Sequence, residues 1–225
     1  MTTFSQKIRE KADPIWQDSF RHPFIRGIAE GTLPIEKFKY YVLQDAYYLS
    51  HFARIQAAGA SKAEDFYTVS RMAAHSQGSY EAEMGLHEQF ADLLNITDTD
   101  RKQFRPSPTA YAYTSHLYRA AWNGRLGHII AALLPCYWLY YEIGERLQGE
   151  TPGEPVYQKW INTYGGEWFQ ELVNEQIERL DHLAVKASEE EQEEMEENFL
   201  ISSNYEYSFW EMAYHREDWS RAKGV

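Results

Sequence analysis

Three side chains in this sequence combine reactive chemistry with apolar surroundings: Cys136, Asp45 and Glu206. Cys136 is the only cysteine in the chain and sits in the apolar stretch IIAALLPCYWLYYEIGE, residues 129–145. At helical spacing Ile129, Leu133, Cys136, Tyr140 and Ile143 fall on one face, an i, i+4, i+7, i+11, i+14 stripe. Pro135 precedes the thiol; inside a helix it removes one backbone hydrogen bond and tends to kink the chain. The sequence thus puts one sulfur on an inward seam, with a tyrosine hydroxyl one turn on. A free cysteine commonly packs as a small hydrophobe. The other reading, a nucleophilic thiolate, gains from the company the thiol keeps.

That company is two carboxylates in similar seams. Phe38, Tyr41, Asp45, Tyr48 and Phe52 follow 3,4,3,4 spacing, so four aromatics and one acid share a helical face. Phe199, Ser202, Glu206, Phe209 and Ala213 repeat the pattern near the C-terminus, with Tyr205 and Tyr207 flanking the acid. An unpartnered carboxylate removed from water costs several kcal/mol, roughly, so each must be paired, neutralised or facing a cavity. A buried ion pair, or bonds to tyrosine hydroxyls, would account for either acid alone. Two of them plus an inward thiol point to a shared pocket lined by Phe and Tyr and suited to a flat aromatic ligand. The acids would recognise ring N–H or amino groups, or move protons. A thiol of pKa ~8.5 needs help to ionise at pH 7, and a neighbouring carboxylate or tyrosine network is read as that help. Tyr113 in SPTAYAYTSH and Tyr164 in NTYGGEW are further donors to ligand or sulfur; each also reads as an ordinary packed tyrosine.

The elements that must position these groups all read as helix. Residues 3–20 form an amphipathic helix with Pro14 as a break. HPFIRGIAEG (22–31) is a short helix closed by Gly31. Thr32 is read as the cap of a helix over 34–62, with Pro34 in its first turn. A helix over 63–95 follows, then a turn region, ITDTDRKQFRPSP. Ser107-Pro108 opens a helix that Asn123-Gly124 ends; the Cys136 helix runs over 125–148. GETPGEP is a loop too short to link domains, and Gly165-Gly166 divides the next helical stretch in two. Ser188 with Glu191 is a capping box for the last helix, to Glu217, and the acidic run after it is a solvated first turn. No alternating strand, hairpin turn or repeat is present. The reading is all-α, a bundle of about seven to nine helices in one domain, residues 1–225. Trp16, Trp138, Trp160 and Trp210 are read as core or interface residues.

Composition narrows the function classes. The chain has 225 residues, 44% of them hydrophobic, enough for a sizeable core. A net charge of −12 argues against a nucleic-acid footprint and against an anionic membrane surface. One cysteine allows no intrachain disulfide and suits a reducing compartment. The N-terminus shows no apolar signal core, and no stretch is long and apolar enough to span a bilayer, so a cytoplasmic protein is expected. None of the eight histidines has a glutamate three residues before it, and HExxH is absent. His75 and His87 share a helix, but a haem or metal site there is disfavoured.

Five segments together carry a resemblance: YYVLQDAYYL around Asp45, SPTAYAYTSH around Tyr113, ALLPCYWLYYEIGE around Cys136, YQKWINTYGGEW around Tyr164 and SSNYEYSFWEMAY around Glu206. In this order, over nearly the whole chain, they resemble the TenA family, the thiaminase II enzymes. The resemblance implies a helical fold like that of haem oxygenase, usually a homotetramer, with no metal or organic cofactor. It implies hydrolysis at a pyrimidine methylene: aminomethylpyrimidine to hydroxymethylpyrimidine and ammonia, in thiamin salvage, or thiamin to hydroxymethylpyrimidine and a thiazole. Cys136 would add to the ring, and Glu206 would protonate the leaving amine and handle water. Asp45 would hold the amidine-like edge; Tyr48, Tyr113, Tyr140 and Tyr164 would orient substrate and sulfur, and Phe209 would pack on the ring. A non-catalytic regulator or pyrimidine-binding protein on the same scaffold is the alternative.

Overall fold

The computed structural model describes residues 2–219, except the side chains of residues 82–87. Among the described residues there is no strand. Ten helices follow one another: α1 (Phe4–Arg21), α2 (Pro23–Glu30), α3 (Ile35–Lys62), α4 (Phe66–Leu93), α5 (Asp98–Gln103), α6 (Pro108–Asn123), α7 (Leu126–Leu147), α8 (Pro155–Tyr164), α9 (Glu167–Lys186) and α10 (Glu189–His215). The count exceeds the sequence reading through α5, which lies inside the stretch read as a turn. Thr97 caps it by accepting from the Asp100 amide, while Asp100 reaches back to the Thr97 amide.

Local chemistry accounts for most boundaries. Ser188 and Glu191 form the capping box that opens α10. Gly31 ends α2 at φ +69°, and a side chain there would also collide with the Pro152 carbonyl. Three readings need correction. Thr32 caps nothing: Pro34 occupies the N-cap of α3, which has no side-chain cap. Pro14 does not break α1, because it lies on the exposed face, where water can satisfy the carbonyl it leaves unpaired. The last helix stops at His215, where Arg216 turns left-handed at φ +50°.

α7 is the central element. It packs against α10, α9, α6, α8 and α3, and is buried on nearly every side. It continues from Leu126 to Leu147 through Pro135. Ser202 of α10 donates to the Ala132 carbonyl at 2.7 Å, tying the two helices together one turn before Cys136. Around this axis lies one aromatic core in which Trp16, Trp160 and Trp210 are fully enclosed; Trp138 is half-buried against it.

The crossing of α7 with the α8–α9 corner is tight. A Cβ at Gly144 would stand 2.4 Å from the Gly165 nitrogen and 2.4 Å from the Tyr164 carbonyl carbon, both backbone. Gly144→Ala should therefore cost about 1–3 kcal/mol as the corner is pushed away. Thermal unfolding would report this as a drop of roughly 2–10 °C. An unchanged midpoint would show that the corner yields freely.

Candidate active site

The three seams converge on the axis. On α3, Phe38, Tyr41, Asp45, Tyr48 and Phe52 are all buried; on α10, so are Phe199, Ser202, Glu206, Phe209 and Ala213. On α7, Ile129, Leu133, Tyr140 and Ile143 are buried, and Cys136 keeps part of its surface open because it borders a cavity. That cavity has a volume of about 370 Å³. Asp45, Phe52, Cys136, Tyr137, Tyr140 and Tyr164 form part of its wall. Its mouth lies between α4 and the start of α9, where the lining residues Gln77, Glu81 and Trp168 are exposed.

The other predicted residues, Glu206, Tyr48, Tyr113 and Phe209, are not part of that wall and stand behind it. Glu206 is 2% exposed and accepts a 2.6 Å bond from the Tyr113 hydroxyl. Tyr113 in turn stacks on Tyr205 at 5.1 Å and lies 4.8 Å from Tyr48. Phe209 packs against Tyr48 and Tyr41, at 5.8 and 6.0 Å between ring centres. Tyr140 and Tyr164 meet edge to face at 4.9 Å. Tyr41, itself held by the Trp160 indole N–H, donates to the Tyr140 oxygen at 3.3 Å.

Electrostatics couple the groups in both layers. Burial, with the charge of Asp45 adding to it, pushes Glu206 up to about 8 against the opposing Tyr113 bond. The Cys136 thiol is pushed well above its ordinary range, by burial first and by Glu206 and Asp45 as well; Tyr48 works the other way. This corrects the sequence reading on one point. Neighbouring carboxylates do not favour a thiolate through their field; they oppose it, and can help only by taking or relaying a proton. The Tyr48 hydroxyl has no partner at full hydrogen-bond geometry, yet it is the group that favours charged sulfur. Tyr48, Tyr113, Tyr140 and Tyr164 are all held far up their range by burial, so they are neutral phenols able to donate.

The structure also brings in residues the sequence reading did not place at this site. Tyr137 borders the cavity although it lies off the Cys136 stripe, and Phe169 and Leu172 come from α9. His75 lies on the wall, bonded to Tyr137 and Glu175. The side chain of His87, its companion in the sequence reading, is outside the described residues. Among the described residues no group of three or more His, Cys, Asp or Glu could hold a metal ion. No helix among them is long and apolar enough to cross a membrane.

A half-buried thiol and an acid on one aromatic-walled cavity, with a protonated carboxyl behind, are groups chemically suited to covalent acid–base work on a flat ring. Known proteins resemble this chain in sequence and in fold. An aminopyrimidine aminohydrolase of Bacillus subtilis is 60% identical over 96% of this chain and 92% of its own. The structure of a TenA homologue from P. horikoshii OT3 superposes with a TM-score of 0.84 at 30% identity, covering 95% of this chain and 99% of that one. A Shewanella denitrificans domain described as having a heme oxygenase-like fold shares the fold alone, with a TM-score of 0.71 at 16% identity over 94% of this chain and 90% of its own. Residues 9–216 match the TENA/THI-4/PQQC family, and the chain belongs to it.

Proposed function

We propose that this protein is an aminopyrimidine aminohydrolase, replacing the amine on a pyrimidine methylene with hydroxyl in thiamin salvage, and cleaving thiamin at the same carbon. The observation that carries this reading is the shared wall of Cys136 and Asp45, with Glu206 close enough for the charges to shift one another. The likeness to the Bacillus subtilis enzyme supports the same substrate class.

Each side chain has a step. Asp45 holds the amidine-like edge of the aminopyrimidine. Cys136 Sγ bonds to a ring carbon as the thiol proton passes to a ring nitrogen, so no free thiolate has to exist in the buried site. Aromaticity is broken, and the nitrogen's electron pair expels the group on the methylene. When that group is the amine, Glu206, protonated up to about pH 8, gives it the proton with which it leaves as ammonia; the thiazole of thiamin leaves neutral and needs none. Water bonds to the exposed methylene as its proton passes to a base of the site, which returns it to bulk water after the product leaves. The ring-nitrogen proton then returns to sulfur as the C–S bond breaks and the ring becomes aromatic again. Tyr48 steadies the sulfur; Tyr113 holds Glu206; Tyr140 and Tyr164 form the face on which the ring lies, and Phe209 backs that face through Tyr48 and Tyr41.

In this reading residues 1–225 act as one helical domain in the cytoplasm, assembled as a homotetramer. Exposed apolar side chains such as Phe66 and Trp122 supply surface for such contacts. The test of function is a paired assay of aminomethylpyrimidine and thiamin, with products identified by mass. Hydroxymethylpyrimidine should appear from both, with ammonia or thiazole as co-product; no hydroxymethylpyrimidine from either compound would reject the proposal.

A further inference from the structure

The proposed chemistry uses one side of the cavity and leaves the other unexplained. On that other side a polar chain runs from the solvent edge inward. Glu175 of α9 accepts from Arg71 at 2.9 and 2.7 Å and from Arg179 at 2.6 Å. Its Oε2 lies 3.1 Å from His75 Nε2, and His75 Nδ1 lies 3.0 Å from the Tyr137 hydroxyl. Gln56 donates to the same hydroxyl oxygen, and Ser79 donates to the Gln56 carbonyl at 2.9 Å.

These partners fix every proton. Two arginines hold Glu175 well below the ordinary carboxylate range, so it accepts only. Burial drives His75 down, toward the neutral ring. A neutral His75 facing an anionic Glu175 carries its proton on Nε2 and offers Nδ1 as acceptor. The Tyr137 O–H must then point at Nδ1, consistent with Gln56 donating to the Tyr137 oxygen. Carboxylate, histidine and hydroxyl stand in the order that lets an imidazole take a hydroxyl proton. The hydroxyl belongs to Tyr137, the residue after Cys136, and both Tyr137 and His75 border the cavity. Glu206, by contrast, stands behind the wall with Tyr113 on one of its oxygens.

We propose that Glu175, His75 and Tyr137 form a second proton arm of this site, one that receives the proton of the hydrolytic water while Glu206 serves the leaving amine. The inference rests on the function proposed above. As water oxygen bonds to the methylene, its proton passes to Tyr137 Oη and the Tyr137 proton passes to His75 Nδ1. The imidazolium is held by Glu175. On product release that proton leaves to bulk water at the cavity mouth, and Glu206, which gave its proton to the amine, takes one back from bulk water. Tyr137 is the member that meets the water; His75 and Glu175 act through it as positioning residues.

The same bonds could merely staple α3, α4, α7 and α9 together, so the test separates the two halves of the reaction. Tyr137→Phe and Glu175→Gln would be mixed with thiamin in the full-length protein, following thiazole release in the first turnover and steady-state turnover separately. The expected result is a first-turnover burst within a few-fold of wild type, a steady-state rate lower by about 10²-fold, and a pyrimidine adduct on Cys136 visible by intact mass. Either wild-type steady-state rates or equal slowing of both halves without adduct would overturn the arm. Should Tyr137→Phe not fold, Glu175→Gln, at a half-buried position, carries the same readouts. Cys136→Ala run alongside keeps the two ideas apart. If it is inactive while Tyr137→Phe behaves as wild type, only the arm falls; if Cys136→Ala still turns over, the covalent route falls with it.

Discussion

Replacing Cys136 with alanine is expected to lower turnover by at least about 10³-fold on both aminomethylpyrimidine and thiamin. Melting temperature should move little, because the side chain is small, only half-buried against the core, and borders a cavity on its other side. The size of the effect follows from what remains on the wall. Asp45 holds the ring, Tyr137, Tyr140 and Tyr164 are phenols that burial keeps neutral, and His75 on the same wall is engaged at both nitrogens by Tyr137 and Glu175, so the thiol has no ready substitute. Serine should be little better than alanine, since an alcohol is a far poorer nucleophile than a thiol at neutral pH. The competing route is direct displacement by water, with Glu206 protonating the amine. That route needs no sulfur and would leave the alanine variant within about tenfold of wild type. Such a result, in protein of normal stability, would remove covalent catalysis while leaving the cavity and its acid in place.

How far the sequence alone reveals this site depends on contrast. In α3 and α10 a single carboxylate interrupts a run of apolar or small positions at helical spacing, and both faces are buried as that pattern requires. In α7 contrast fails. The helix is apolar on almost every side, so a stripe drawn through Cys136 says nothing about its neighbour Tyr137, which also borders the cavity. His75 is harder still: its partners Tyr137 and Glu175 are 62 and 100 residues away, and no local pattern links them. α5 has six residues, too few for periodicity to register, though its Thr97–Asp100 cap was legible. The sign of the field at the thiol depends on burial and on two acids brought in from other helices, which only the fold sets. What spacing does reveal is which faces turn inward; which inward groups touch is decided by long-range packing.

The second large effect concerns Glu206. On aminomethylpyrimidine, Glu206→Gln should lower kcat by about 10²–10⁴-fold with a much smaller change in KM, since the acid meets developing charge on the amine rather than the bound ring. Its environment also predicts a pH signature. Burial raises the folded-state value from 4.5 to about 8, with the Asp45 charge adding to it. Below that value the carboxyl is protonated and can serve the leaving amine; above it the proton is gone. Wild-type kcat/KM should therefore fall as pH rises through about 8, and the glutamine variant, with no proton to lose there, should lack that limb. Stability must follow the same sign. Between about 4.5 and about 8 the folded protein keeps a proton that the unfolded chain has released, so this carboxyl's contribution is full below the window and declines across it. Denaturant unfolding of wild type should weaken across that interval relative to Glu206→Gln, which has no such charge to bury. The two measurements share one cause, a carboxyl that the fold prefers uncharged. A wild-type rate profile flat through pH 8, or parallel stability curves for the two proteins, would mean that Glu206 is ionised in the folded protein and cannot be the acid.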